Sequence, residues 1–422
     1  MTTTELTTNI AQSQGEVPLD REETACCIVG GGPAGAMLAL MLARRGVRVT
    51  LLEAHKDFDR EFRGDTVHPS TLEILDQLGL AERLHQLRHS KVYGPTVQTA
   101  NGPFTPFDLR RLKTKFPYIM LIPQSVFLEF ITTEARKYPG FRLVMRANVQ
   151  RLIHEEEAVR GVLYQSAEGW HEVRALVTIG ADGRFSMVRH LAGIEPIATA
   201  PPMDVLWFRL PRLPEDPEAL GGAAGAIGRG HIFIVFDRYD YWQAGYVIPK
   251  GDFQKVRAAG MEALQRGAAE LDQRFSKHLE HLSDWRQVSV LSVESSRCPR
   301  WYEPGLLLIG DAAHVMSPVG GVGINYAIQD AVVAANVLAG PLLSGEVEDE
   351  DLAEVQKERE FPTRFIQAVQ TFAQNRIVAP VLRSSGALKV SSIVRLALKL
   401  PIVRDVAPRI IGFGISRPRL EE

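Results

Sequence analysis

Three glycine-containing turns hold the residues whose types and spacing suit chemistry. The first turn follows a short apolar run and has the spacing G-x-G-x-x-G; it comprises Gly30, Gly31, Gly32, Pro33, Ala34 and Gly35. In such a turn one glycine bends the chain, one lets the backbone approach a pyrophosphate, and one allows close helix–strand packing. The helix that follows directs free N–H groups and the positive end of its dipole at phosphate. The turn therefore predicts a dinucleotide site.

A second apolar run, residues 47–52, ends in Glu53. Together the strand, glycine turn, helix and second strand form a βαβ unit. An acidic residue about 20 residues beyond the glycines is placed to accept hydrogen bonds from a ribose. The unit favours an adenine dinucleotide, and the choice between FAD and NAD depends on the rest of the chain.

The other two turns each place an aspartate beside a glycine after a uniformly apolar run. They are Gly180-Ala181-Asp182-Gly183 and Gly310-Asp311-Ala312-Ala313-His314. Uniformly apolar runs are typical of strands buried on both faces of a parallel sheet. An aspartate between glycines is usually only a turn residue, but two such turns in the company of the first indicate a shared site.

The composition is that of an ordinary globular chain of about two or three domains. Of the 422 residues 45% are hydrophobic, and 48 Lys and Arg nearly balance 50 Asp and Glu, for a net charge of −2. This balance creates no field that would attract nucleic acid. Three cysteines without disulfide or metal-ligand spacing indicate a reducing cytoplasm, with Cys26 and Cys27 in the core. We expect no apolar run long enough to span a bilayer.

The pattern of elements predicts an α/β fold with a discontinuous first domain. The predicted parts are a disordered tail (1–23), a dinucleotide-binding domain (24–91, 119–200 and 294–340), a β-sheet substrate domain (92–118 and 201–293) and a C-terminal helical region (341–422). Residues 141–179 are expected to form a β meander, and the glycine-rich residues 221–230 a flexible loop. Residues 394–413 mix apolar and basic side chains, which suits a packed helix pair or contact with a membrane surface.

The order and spacing of the three turns resemble those of single-component (group A) FAD-dependent monooxygenases of the p-hydroxybenzoate hydroxylase type. The resemblance covers about residues 25–338. It implies a Rossmann-like FAD-binding domain with an inserted substrate-binding sheet, NAD(P)H as reductant and O2 as co-substrate. It also implies that a flavin C4a-hydroperoxide hydroxylates an electron-rich aromatic substrate, whether phenolic, quinol or polycyclic.

The resemblance assigns site residues one by one. Those it places on FAD are Gly30, Gly32, Pro33, Ala34, Gly35, Glu53, Arg63, Gln124, Asp182, Gly183, Asp311, Gly321, Gly323 and Asn325. Asp182 and Gly183 are also associated with NAD(P)H, and Pro318 is implied to lie beside the flavin, facing substrate. A helix that starts near Asn325 has a physical role of its own, since its N-terminus stabilises the negative charge of a reduced flavin.

The substrate residues and the general base are less constrained. Candidates for lining the substrate cavity are His231, Tyr241, Trp242 and Tyr246. The general base is left open between His314 and a Tyr or His of the second domain. We expect a monomer or a homodimer that binds a small aromatic molecule.

Two other functions fit the same turns. One is an FAD-dependent reductase or dehydrogenase of a lipid or quinone-like substrate, similar to geranylgeranyl reductases. The other is an FAD-binding protein without catalysis. The Trp-x-Trp-x-Ile-Pro motif of flavin-dependent halogenases is missing, which argues against halogenation.

Overall fold

The structure is a computed structural model that describes residues 17–59, 65–99, 101–216, 222–384, 386 and 400–421. Arg63, the first 16 residues of the predicted tail, and residues 394–399 of the basic segment lie outside these ranges. Residues 21–23, which the sequence assigned to the tail, already belong to the first strand.

The strands, in chain order, are β1 (Arg21–Val29), β2 (Val49–Glu53), β3 (Thr66–Val67), β4 (Ser90–Val92), β5 (Thr96–Gln98), β6 (Ile119–Leu121), β7 (Phe141–Met145), β8 (Asn148–Glu155), β9 (Ala158–Gln165), β10 (Trp170–Gly180), β11 (Ile197–Thr199), β12 (Met203–Pro211), β13 (Ala223–Gly228), β14 (His231–Asp237), β15 (Tyr241–Pro249), β16 (Ser289–Ser292), β17 (Ser295–Arg297), β18 (Tyr302–Glu303), β19 (Leu306–Leu308) and β20 (His314–Val315). The helices are α1 (Pro33–Arg44), α2 (Pro69–Gln77), α3 (Ala81–His85), α4 (Gln124–Ala135), α5 (Met187–Leu191), α6 (Phe253–Ala259), α7 (Met261–Leu271), α8 (Ser276–Leu279), α9 (Gly323–Ser344), α10 (Asp349–Ala373), α11 (Ala379–Arg383) and α12 (Pro401–Phe413).

The main sheet has the order β18-β19-β10-β1-β2-β7, with the β8–β9 hairpin beside the first half of β10. Its central strands are parallel, and the ends of β1, β10 and β19 lie side by side, with Val29 opposite Gly180 and Gly180 opposite Leu308. Helix α1 is buried against β2, α4 and α9. The register therefore brings all three glycine turns to one edge of the sheet, where ligands of such sheets bind.

A second, mostly antiparallel sheet has the order β16-β12-β15-β14-β13-β5. One face packs on α7 and α8 and forms a separate core that includes Phe208, Phe233 and Phe275. The opposite face packs against Val319 and α11, and its cluster includes Val205 and Val247. The second sheet thus has a helix face and a loop face, and the loop face is turned toward residues that follow the third glycine turn.

Several sequence predictions need correction. Residues 141–145 are not part of the meander, because β7 pairs in parallel with β2 at the edge of the main sheet. Residues 223–228 are not a loop but strand β13, which pairs with β14 and β5. One segment, Val319–Ser344, is long and apolar enough to cross a membrane, but 67% of its most apolar window is buried in the protein, as in a core helix.

Candidate functional site

The first glycine turn is formed by close backbone contacts. Gly30 has a φ of +106°, and a Cβ there would collide with the carbonyl oxygen of Ala181 in the second turn. A Cβ at Gly35 would collide with the carbonyl oxygen of Gly30. Only glycine fits both positions, because one requires positive φ and both lie against backbone.

Helix α1 begins at this turn without a side-chain cap. Gly32 is its N-cap, Pro33 its first residue, and no acidic side chain lies in the first turn. A side chain built at Gly32 would meet nothing within 4 Å, so this N-terminus is open. The first amides of a helix have no partner one turn earlier, which leaves the N–H groups of Ala34 and Gly35 for an anion such as a pyrophosphate.

Glu53 ties the end of β2 to the same turn. One carboxylate oxygen accepts from the Gly31 N–H at 2.9 Å, and the other accepts from the His55 N–H at 3.0 Å. The side chain is buried beside the open end of α1. The ribose contact that the resemblance implies stays a prediction.

The second turn connects the first turn to the third. Asp182 accepts hydrogen bonds from the hydroxyl of Ser186, the N-cap of the short helix α5, and from the Val188 N–H in the first turn of that helix. Burial raises the pKa of Asp182 above its usual range. Arg189, on that helix, donates to the carbonyl of Ala312 at 2.8 Å, next to Asp311.

The third turn is held by a buried charge cluster that the sequence reasoning missed in part. Asp330, on α9, accepts from the Gly310 N–H at 3.0 Å and lies 2.6 Å from His314 Nε2. Its other oxygen accepts from Arg359 Nε at 2.8 Å, and all three side chains are at most 1% exposed. Burial alone would raise the pKa of Asp330, but the charges and hydrogen bonds of His314 and Arg359 lower it.

This cluster changes the interpretation of His314. A general base must reach the substrate proton directly or through one water, whereas the His314 ring is buried against Trp301 and paired with Asp330. The geometry argues against His314 as the base and favours a structural role. Arg359 gave no sequence signal, because a single arginine in a polar helix is normally solvated.

The loop after the third turn runs from Pro318 to α9. Gly320 and Gly321 both have positive φ, and the Gly321 carbonyl accepts from Thr66 Oγ1 at 3.0 Å. Asn325, in the first turn of α9, is 1% exposed and accepts from the hydroxyls of Ser70 and Thr71. Its amide nitrogen has no partner among the described residues.

His68 lies on the other side of this loop. Its Nδ1 donates to the Ile411 carbonyl at 2.7 Å, and a Cβ at Gly321 would lie 3.8 Å from its Nε2. Nε2 is buried and has no partner within the described part of the chain. Unsatisfied buried polar atoms of this kind call for a ligand or water. The open N-terminus of α1 and the two unpartnered nitrogens, Asn325 Nδ2 and His68 Nε2, therefore fit FAD, the cofactor implied by the glycine turns.

Gln124 connects the FAD side to the second sheet. Its N–H donates to Asp65 Oδ1 at 2.9 Å, and the other oxygen of Asp65 is ion-paired with Arg238, whose side chain is 3% exposed. The sequence gave no sign of this pair, since Asp65 and Arg238 lie far apart in the chain. Arg63, implied to contact FAD, lies outside the described residues.

Three of the four predicted substrate residues lie on the helix face of the second sheet. Trp242 and Tyr246 belong to the core under α7 and α8, and the His231 ring stacks on Tyr246 at 4.7 Å. Trp242 also donates to Asp216 at 2.8 Å. These three residues therefore lie on the side of α7 and α8, and their role in binding substrate stays a prediction.

The loop face carries a different aromatic surface. Gly245 lies directly opposite Trp207, and a Cβ there would lie 2.8 to 3.1 Å from three atoms of the indole ring. The indole thus rests on the strand, and the Phe236 ring lies 6.2 Å away at an angle of 31°. Tyr241, the fourth predicted residue, shares this face and lies 4.9 Å from the Arg209 guanidinium.

Comparisons with known proteins agree with these features. A family model described as an FAD binding domain matches residues 23–371. The 6-methylpretetramide 4-monooxygenase of Streptomyces rimosus is 33% identical over 93% of both chains. Several other relatives are longer, and the chain spans about 60% of their length.

Solved structures share the fold. The anhydrotetracycline hydroxylase OxyS from Streptomyces rimosus superposes with a TM-score of 0.72 at 25% identity, over 92% of this chain and 76% of that one. The myxobacterial chondrochloren halogenase CndH has a TM-score of 0.73 at 20% identity, over 94% and 95%, and shows the fold alone. With the family model and the relative together, the chain belongs to the group A, p-hydroxybenzoate hydroxylase type of FAD-dependent aromatic monooxygenases.

Proposed function

We propose that this monooxygenase consumes NAD(P)H and O2 to hydroxylate a fused-ring phenolic or quinol substrate. The observation that carries the proposal is the loop face of the second sheet, where the Trp207 indole rests on Gly245 beside Phe236. A surface of two neighbouring rings, tilted to each other by 31°, suits an aromatic substrate wider than one benzene ring, because stacking grows with the ring area that is covered.

The names of two similar proteins support this substrate class. One is a 6-methylpretetramide 4-monooxygenase and the other an anhydrotetracycline hydroxylase. Anhydrotetracycline is a fused four-ring molecule. A single-ring phenol is the substrate named for another relative, a para-nitrophenol 4-monooxygenase that is 25% identical over 75% of this chain.

We assign the following roles. Bound FAD would supply the activation of oxygen. The α1 terminus and the first turn would hold its pyrophosphate, and Asp311 and the Pro318 loop would contact the flavin. The N-terminus of α9 would stabilise negative charge on the flavin ring. The apolar residues of the loop face, among them Val205 and Val247, keep water from the reacting atoms.

Location and assembly are proposed from the same observations. We propose a cytoplasmic monomer or homodimer without a nucleic-acid partner. The described part of the basic segment favours packing over membrane contact, because Phe413 is buried and its carbonyl accepts from Gln329 at 2.9 Å.

The test is a turnover assay with the purified, FAD-loaded protein. NADH or NADPH consumption is followed with fused-ring phenols and, as a matched set, their single-ring analogues, and product masses are recorded. We expect a fused-ring compound to accelerate consumption and to gain one oxygen atom. Faster turnover of the single-ring set would refute the substrate class. A product changed only in hydrogen would replace hydroxylation by the reductase or dehydrogenase alternative.

A further inference from the structure

Helix α10 and the π-helical turn that continues it carry a row of buried glutamines on the side that faces the Pro318 loop. They are Gln367, Gln370 and Gln374, each at most 7% exposed. Their spacing of three and four residues places them on one face of a helix. Glutamine is rarely buried without a specific partner, so the partners of this row show what it does.

The row binds the backbone that leads into and out of Pro318. Gln370 Nε2 donates to the carbonyls of Ser317 and Val319, both at 2.8 Å. One amide group thus bridges the two residues that flank Pro318. Gln367 Nε2 does the same one turn earlier, with the carbonyls of Ser296 at 2.9 Å and Val315 at 3.1 Å.

The helix changes geometry where the row ends. Residues Gln374–Val378 form a π-helix, a rare element that is frequently found at functional sites. Gln374 donates to the Ser317 hydroxyl, and Val378 packs in the same cluster as Val319. The wider turn therefore keeps one polar and one apolar side chain directed at the same three-residue segment.

We infer that Gln370 is a positioning residue for Pro318, and that the glutamine row fixes the loop that faces flavin and substrate. The inference rests on the proposed function in one respect: it takes Pro318 to border the reacting groups. Proximity alone is not enough for catalysis, because a displacement of about 1 Å at the reacting atoms can cost about a hundredfold in rate. Two amide hydrogens on the flanking carbonyls limit such a displacement from both sides.

The decisive variant is Gln370→Leu, which keeps the approximate size and removes both donors. Its matched control is Gln356→Leu on the same helix. Gln356 also bridges backbone groups, donating to the Pro299 carbonyl at 3.0 Å and accepting from the Trp301 N–H at 2.9 Å, but it does not contact the loop. Both variants lose two hydrogen bonds to the backbone, and Gln356 is only half-buried, so the comparison is made on exchange within residues 315–322 and not on overall stability.

The first readout does not depend on turnover. Amide hydrogen exchange is measured on the FAD-loaded protein for the peptide covering residues 315–322. Since a lost hydrogen bond weakens local structure, we expect exchange about tenfold faster in Gln370→Leu, and unchanged exchange there in Gln356→Leu. Equal exchange in both variants would overturn the inference, and this result does not depend on whether the protein hydroxylates anything.

The second readout is coupling, the fraction of NAD(P)H consumption that yields hydroxylated product rather than H2O2. We expect that fraction to fall about tenfold in Gln370→Leu, with KM for substrate little changed. If Gln370→Leu does not fold, Gln374→Leu is used instead. It removes the hydrogen bond from Gln374 to the Ser317 hydroxyl and should shift both readouts in the same direction. Coupling equal to that of Gln356→Leu would refute the positioning role. A wild type that forms no oxygenated product would instead refute the proposed function.

Discussion

The contact between Trp207 and Gly245 allows a demanding test of the role that we propose for the loop face of the second sheet. Gly245→Ala adds one methyl group, whose carbon would lie 2.8 to 3.1 Å from three atoms of the indole ring. The backbone partners are fixed by strand pairing on both sides of β15, so the half-buried indole must lift away from the sheet. Overpacking of this kind costs about 1–3 kcal/mol.

The displaced ring would then occupy space that we propose for substrate. If about 1.4 kcal/mol of stacking is lost, KM for a fused-ring substrate rises about tenfold. We would measure KM, the free energy of unfolding in urea, and FAD content in Gly245→Ala. The control is Gly340→Ala on α9, where a Cβ would meet nothing within 4 Å and where the helix should gain stability.

A double variant separates the clash from other effects of the methyl group. In the Gly245→Ala background, Trp207→Leu removes the ring that the methyl group strikes, so part of the lost unfolding free energy should return. A coupling free energy near zero in this cycle would show that the two side chains do not interact. An unchanged KM and an unchanged unfolding free energy in Gly245→Ala would refute the placement of the indole.

Further predictions concern the FAD side. Arg359→Met leaves Asp330 without its buried cation, and we expect the free energy of unfolding to fall by about 3–5 kcal/mol, measured in urea. Because the folded-state pKa of Asp330 is lowered, its stabilisation is present above the ordinary aspartate pKa of 3.8 and is lost as pH falls through the folded value. Asp330→Asn should therefore flatten the acid side of the stability–pH curve, and an unaltered curve would contradict this. Asp311→Ala should purify depleted of FAD by absorbance, whereas a fully yellow, active variant would refute its assignment. Burial raises the pKa of the Cys26 thiol to about 12, so thiol reagents should not label it in the folded protein.

The FAD side was largely predictable from the sequence, because its geometry is dictated locally. A G-x-G-x-x-G turn after a strand allows few backbone conformations, because the chain passes so close to itself that a Cβ at Gly35 would collide with the Gly30 carbonyl oxygen. Uniformly apolar runs before the second and third turns were correctly predicted as strands of the main sheet. The prediction that Cys26 and Cys27 lie in the core is confirmed as well.

The second sheet was less predictable, for a physical reason. Residues 242–248 of β15 are buried on both faces, so the alternation that normally separates the two sides of a strand is missing. The local sequence pattern therefore does not indicate whether Trp242 or Tyr241 lies on the loop face. The face that Trp242 occupies is determined by α7 and α8, which pack against that face in the folded protein. The pairing of Asp330 with Arg359 was not predicted either, because the two residues lie on different helices and meet only in the folded protein.

The two faces of the second sheet are therefore free to change to different extents. The helix face is filled by packed aromatic rings, and a change there disturbs a core that includes Phe208 and Phe233. The loop face has fewer such constraints, since Trp207 and Phe236 are only partly buried. The row of glutamines binds the backbone on both sides of Pro318. If substrate binds on the loop face as proposed, we expect substitutions there to alter which ring system is accepted while the glutamine row keeps the loop around Pro318 in place.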